Sequence, residues 1–286
     1  HKNYSWNVMN AQTEKNSDGF SREKEREGPL SIKTKVFYAF GEMPGAYMNL
    51  AIGSFLLIYY SVVLGASAAA ISLVLGVALF LDAICDPLVG AFSDQVKSRL
   101  GRRHPLMYAA SIPMGVFICL LFTPPQGLSA TSLIVWLAFF LIMTRITFTF
   151  FSVPWSALIA EFSDDYEQRT VIASYRTLIG PLLGGISSTL ILTFIFIGTP
   201  DIPKGQENLE NYNLFGPLIG SLMTGWALLS THFTRSEIPY LYQTRSTSSA
   251  GLAWMLSSIL LALKSRNYRI LPVSYTHLTL PTSKIV

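Results

Sequence analysis

Charge is what this sequence has least of. Asp, Glu, Lys and Arg make up 13% of its 286 residues, about half the ~25% usual in a soluble domain. The little charge present is unevenly placed. Residues 1–35 carry 12 charged side chains, residues 36–92 carry three (Glu42, Asp82 and Asp86), and residues 106–160 carry one, Arg145. Apolar residues make up 50% of the chain, with Phe alone occurring 18 times. Long uncharged stretches of this kind exclude a water-soluble fold and define an integral membrane protein with a polar N-terminal tail. Cysteine is nearly absent too. Cys85 and Cys119 both lie in apolar runs, which excludes a disulfide framework and a zinc site. A formal net charge of only +4 leaves no footprint for a nucleic-acid partner. No secretory signal pattern opens the chain, because a stretch of mixed charge precedes the first apolar run.

A bilayer core ~30 Å thick is crossed by about 20 apolar residues in a helix. Six runs qualify: Val36–Leu64, Ser67–Phe92, Leu106–Thr123, Thr131–Val153, Val171–Ile197 and Asn213–Thr231. The expected fold is therefore all-α, with a polar tail over 1–35, a six-helix transmembrane bundle over 36–231 and a loop region over 232–272. Pro44, Pro87 and Pro181 fall inside apolar runs, where each removes a backbone hydrogen bond and favours a kink. Gly180 and Gly184, and Gly216 and Gly220, have the four-residue spacing that lets helices approach closely.

Basic residues set the orientation. Lys97, Arg99, Arg102 and Arg103 follow the second run, Lys33 and Lys35 precede the first, and Arg235 and Arg245 follow the sixth. The alternate loops carry only Lys204. Lys and Arg accumulate on the cytoplasmic side, so both ends and the 93–105 loop are expected there, together with a 161–170 loop. Beyond the sixth run, Leu252, Met255, Leu256, Ile259, Leu260 and Leu263 form one apolar stripe. A helix near 250–263 lying on the membrane surface is expected. The closing run VSYTHLTLPTSKIV, residues 273–286, resembles a translated library adapter, and native sequence is expected to stop near Pro272.

Ionisable groups within a span cost several kcal/mol and are candidates for function. Asp82 and Asp86 are four residues apart and share one helical face. Two carboxylates so placed repel, so either one takes a proton or a cation sits between them. A structural ion pair with another span is the alternative. Arg145 is the candidate partner. It lies 14 residues past Thr131 and Asp82 lies 15 past Ser67, which puts both at similar depth at ~1.5 Å per residue. Thr149 and Ser152 share the face of Arg145 and offer hydroxyls to a cation or sugar, or bond back to their own helix. Glu42 and Arg176 lie inside the first and fifth runs and either serve a site or reach back to the interface. Asn49 shares the face of Glu42, and Trp155 is either an interfacial anchor or a stacking surface for a sugar ring.

Together these residues resemble a known family. The run GAFSD from Gly90 to Asp94, then six residues, then Gly101, Arg102 and Arg103, resembles the loop signature of the major facilitator superfamily. Its longer spacing, the preceding DAICDPLVG from Asp82, and SVPWSAL from Ser152 followed by Glu161, Arg169 and Ser174, Tyr175, Arg176 are similar to the glycoside-pentoside-hexuronide:cation symporter branch. The resemblance covers roughly residues 35–272.

It implies the N-terminal six-helix half of a twelve-helix transporter, with the start of the central cytoplasmic loop, the C-terminal half as missing partner, and residence in the inner (plasma) membrane. It implies cation binding at Asp82, Asp86 and Thr149 and sugar binding at Arg176. Read from the residues themselves, Ser152, Trp155 and Asn49 are further candidates for substrate contact, and Arg145, Asp94, Arg102 and Arg103 for a charge-pair or gating role. Two departures bear on mechanism. Cys85 stands where sodium-coupled members carry an amide, and a thiol is a soft ligand for a hard cation, so H+ is expected ahead of Na+ as the coupling ion. Ala46 and Ser152 stand near the positions where melibiose-type members carry sugar-gripping acids. No cofactor is implied. The expected function is cation-coupled symport of a sugar or glycoside by alternating access. The alternatives are a nonfunctional transporter fragment and an intramembrane Mg2+-dependent prenyltransferase. The latter needs a second acidic cluster, for which Asp164 and Asp165 are the only other pair.

Overall fold

A computed structural model describes residues 20–22, 24, 26 and 28–244. The chain divides into two units, 1–246 and 247–286. The second unit, which includes the stripe near 250–263 and the run 273–286, lies outside the described residues. Among the described residues, six helices are long and apolar enough to cross a membrane: α1 (Ile32–Val63), α2 (Ala68–Gln95), α3 (His104–Leu121), α4 (Ala130–Phe162), α5 (Tyr166–Phe194) and α6 (Leu209–Thr234), the last running on as a 3-10 turn over Arg235–Tyr240. Polar side chains close four of the N-termini. Ser31, Ser129, Asp165 and Asn208 each accept a hydrogen bond from a backbone N–H two or three residues on, which satisfies donors the helix leaves free.

The helices depart from the sequence boundaries where proline or capping decides. Pro154 does not end α4, which continues nine residues beyond Val153 to Phe162. Asp165 starts α5 five residues before Val171. The expected 161–170 loop is therefore only the three residues between Phe162 and Tyr166. Pro44 acts on α1. It has no N–H to offer the Phe40 carbonyl, and the Met43 N–H takes that carbonyl in a 3-10 turn over Phe40–Glu42. Further along, α1 widens into π-helical turns at Asn49–Phe55 and Ile58–Val63.

In the bundle α3 packs between α4 and α6, α2 lies along α4, and α1 lies between α5 and α6 while touching α4. Glycine spacing sets two close crossings. A Cβ on Gly220 would stand 2.3 Å from the Gly115 carbonyl oxygen, so α3 and α6 meet backbone to backbone. On α5, a Cβ on Gly180 would stand 2.6 Å from the Glu42 Cγ, and one on Gly184 would stand 3.1 Å from the Ala46 Cβ. Far from the 96–103 loop, Phe55, Tyr59, Phe122, Phe196, Tyr212 and Phe215 interlock as an aromatic core. The 96–103 and 163–165 connections lie at the other end, called here the basic end. Beside α1 and α6, β1 (Phe20–Ser21) pairs antiparallel with β2 (Gln243–Thr244), joining the segments that flank the bundle.

Candidate functional site

α2 and α4 run in the same direction, and one register relates them. Arg145 on α4 donates to Asp82 on α2, and the Thr149 hydroxyl donates to Asp86 Oδ1 at 3.1 Å, each pair 63 residues apart. Gly90 faces Val153 at the same offset. A four-residue step is one turn in either helix, so the i, i+4 carboxylates meet an i, i+4 arginine and threonine as two successive rungs. The Asp82–Arg145 pair is largely buried, with side chains 22% and 15% exposed, whereas Asp86 is exposed. Arg145 thus neutralises one carboxylate and leaves the other with a hydroxyl beside it. Cys85, half-buried, lies between them. Ser152 is half-buried and Asn49 exposed, and neither makes a side-chain hydrogen bond among the described residues.

The other intramembrane charges pair across α1 and α5. Arg176 Nε donates to Glu42 Oε2 at 2.5 Å, and both side chains are about one third exposed. The sequence left both free to reach the interface, but each takes the other instead. The Arg176 guanidinium lies 4.4 Å above the Trp155 ring, a geometry that attracts a cation to the aromatic face. Trp155 differs from expectation. Its indole is 3% exposed, stacks on Tyr38 and donates its N–H to the Tyr38 carbonyl at 3.0 Å. In this conformation it has no face free for a sugar ring; it supports Arg176. α4 therefore serves both charge sets, through Arg145 and Thr149 toward α2 and through Trp155 toward α1 and α5.

At the basic end the connection between α2 and α3 folds back on the bundle. Gly101, at φ +73°, makes the turn that returns Arg102 and Arg103 toward the helix ends. Both arginines donate to Glu161 Oε1 at 2.8 Å, Arg103 also donates to Ser93 at 2.8 Å, and Asp94 lies 3.3 Å from Arg102 and 2.6 Å from Arg103. Glu161, at the end of α4, is the residue the sequence reading did not place here. Its signal was present, as an acid eight residues past the fourth apolar run, on the side expected to hold Arg102 and Arg103. Asp164 meanwhile pairs with Arg22 at 2.8 Å, and Asp165 caps α5. No second acidic cluster faces Asp82 and Asp86 among the described residues, as a Mg2+ diphosphate site would need.

Six membrane-length helices among the described residues, with charge pairs between them, define a multi-pass membrane protein. The chain belongs to the family described as MFS/sugar transport protein, which matches residues 37–282. It is 33% identical over 248 residues to the sodium-dependent lysophosphatidylcholine symporter 1 of Xenopus tropicalis, covering 86% of this chain and 44% of that one. It is 27% identical over 222 residues to the protein provisionally named glycoside/cation symporter YagG of Escherichia coli K12, covering 78% and 46%. A third relative is the inner membrane symporter YicJ of the same organism, 26% identical over 179 residues, covering 62% and 39%. The chain spans less than half the length of these relatives. They are named as symporters, not enzymes.

Proposed function

We propose that this chain forms the N-terminal six-helix half of a secondary transporter that carries a glycoside together with a cation. The observation that carries the reading is the pair of rungs between α2 and α4, in a chain that belongs to a sugar-transport family. Asp86, exposed and held by Thr149, takes the cation. Arg145 holds Asp82 and fixes the register. Arg176 donates to substrate hydroxyls, and Ser152 on α4 and Asn49 on α1 add further polar groups for the substrate. A second half completes the site, and rocking of the halves exposes it to each side in turn. The Asp94–Arg102–Arg103–Glu161 latch closes the cytoplasmic side, which the basic residues assign to the 96–103 loop and to both flanking segments. The membrane is the cytoplasmic (inner) membrane.

The coupling ion is the proton. With Arg145 on Asp82, one carboxylate, one hydroxyl and the Cys85 thiol remain, a poor oxygen set for a hard cation. A second reading, a lysophospholipid substrate, is favoured by the 33% identity to the lysophosphatidylcholine symporter.

One uptake panel separates them. The intact transporter is reconstituted in vesicles and offered isoprimeverose, methyl glycosides and lysophosphatidylcholine, with and without Na+ and across pH. Glycoside accumulation driven by a pH gradient, abolished in Asp86→Asn, is the expected result. Undiminished accumulation in Asp86→Asn would sink the cation-site assignment, and uptake of the lipid alone would replace the substrate.

A further inference from the structure

Two cations at the basic end have no carboxylate to answer them. Lys33, in the first turn of α1, and Arg235, just past Thr234 of α6, are exposed, and neither side chain makes an ion pair or hydrogen bond among the described residues. Glu237, the acid that follows Arg235, is already taken, since it pairs with Arg26 and accepts from Thr34. A row of rings joins Lys33 to α3. Its ammonium lies 5.3 Å from the Phe233 ring, Phe233 stacks on Phe37 and lies 5.5 Å from the His232 ring, and His232 Nδ1 stands 3.5 Å from the Tyr108 hydroxyl. His232 and Phe233 are exposed. Rings of this kind at the ends of spans sit at the level of the lipid headgroups.

An apolar groove of about 510 Å³ continues the same α3–α6 seam into the membrane. Ile112 and Val116 follow Tyr108 by four and eight residues, and Gly225 and Ser221 precede His232 by seven and eleven. Along the helix axes the groove therefore starts within about 10 Å of the rings. It exists because its floor lacks side chains. Gly115 and Gly220 meet backbone to backbone, and a Cβ on Gly225 would find nothing within 4 Å. Cations at headgroup level beside an apolar groove match one kind of molecule. A soluble anion uses the cations and leaves the groove bare, and a neutral lipid uses the groove and leaves the cations unpaired. We propose that the α3–α6 seam binds an anionic phospholipid, with its phosphate held by Lys33, Arg235 and the Tyr108–His232 pair and one acyl chain lying along the groove. Basic pockets between spans on the cytoplasmic side hold anionic headgroups, and the basic residues assign this end to the cytoplasm. The site shares no residue with the rungs of α2 and α4 or with Arg176, so it stands whatever the chain transports.

The test uses the intact transporter, delipidated in detergent and offered phosphatidylglycerol or phosphatidylcholine of the same acyl chains, with bound lipid measured by native mass spectrometry. The wild type should favour phosphatidylglycerol. Each cation near an anionic headgroup is worth about fivefold in binding, so Lys33→Gln/Arg235→Gln should lose about thirtyfold for phosphatidylglycerol and little for phosphatidylcholine. Lys97→Gln/Arg99→Gln removes the same charge from the exposed 96–103 loop and should keep the preference. Gly225→Leu projects into the groove and should weaken both lipids alike. If the double variant of Lys33 and Arg235 does not fold, each single variant should lose about fivefold. A wild type indifferent to headgroup, or an equal loss in the loop variant, overturns the site. Unchanged lipid binding in Gly225→Leu overturns the groove, and inorganic phosphate bound as tightly as phosphatidylglycerol overturns the lipid.

Discussion

Glu161 puts two guanidinium groups on one carboxylate oxygen in a site only 4% exposed, and that sets how its loss is felt. Removing one partner of a buried ion pair strands the other charges at about 3–5 kcal/mol. Glu161→Ala should therefore lower thermal stability in detergent by an amount of that order. Asp94 contacts the same arginines but its side chain is 45% exposed, so Asp94→Ala should cost about 0–1 kcal/mol, as surface pairs do. Equal losses in a thermal-unfolding series would contradict the buried latch. At this scale the sequence was informative about depth and silent about neighbours. Counting residues placed Asp82 and Arg145 at one level, and they pair. The same counting puts Glu42 six residues past Val36 and Arg176 five past Val171, again at similar depth. Nothing in a periodic pattern, however, says that α1 lies against α5, so their pairing was not readable. Nor was the burial of Trp155, which depends on Gly41 of α1 letting the indole in, since a Cβ there would stand 2.0 Å from the Trp155 Nε1.

Among the elements, all six spans were legible, because apolar length is dictated by the bilayer. Their ends were not, because proline inside a membrane helix is tolerated where neighbours satisfy the backbone. α4 passes through Pro154 and α5 through Pro181 without a break. The π-helical turns of α1 leave no mark on the sequence, since the run there is apolar apart from Asn49, Ser54 and Ser61, too few to set a period in either winding. The glycine spacings read from sequence do correspond to close crossings. Gly220 on α6 meets backbone on α3, and a carbonyl cannot rotate aside as a side chain can. Gly220→Val should force the two helices apart and cost several kcal/mol through overpacking, seen as loss of monodisperse protein on size exclusion. Gly225, with nothing within 4 Å of its Cβ position, is the control. Gly225→Ala should be neutral or stabilise by up to about 1 kcal/mol through helix propensity.

Seen as one molecule, the described chain is tied at the basic end by its own flanks. The β1–β2 bridge joins residues before α1 to residues after α6, Arg22 reaches Asp164, and Arg26 pairs with Glu237, which also accepts from Thr34 at 2.9 Å. Ser21 and Gln243 are directly paired positions, so their Cα atoms fall in the ~4.4–6.8 Å range a disulfide spans. A Ser21→Cys/Gln243→Cys variant should cross-link within one chain under mild oxidant, read as a mobility shift lost on reduction. Absence of the shift would separate the two flanks. None of this was in the sequence pattern, since two-residue strands carry no periodicity.

The short connection between α4 and α5 makes the two helices a pair of levers on a common fulcrum. Thr149 lies 13 residues before the end of α4 and Arg176 ten residues after the start of α5. At ~1.5 Å per residue the arms are about 20 Å and about 15 Å long. A tilt of about 10° at that three-residue joint carries Thr149 through about 3 Å, enough to break its bond to Asp86, and carries Arg176 through nearly as much. One tilt of the two helices together about that joint would therefore move both the hydroxyl beside one carboxylate and the guanidinium beside another.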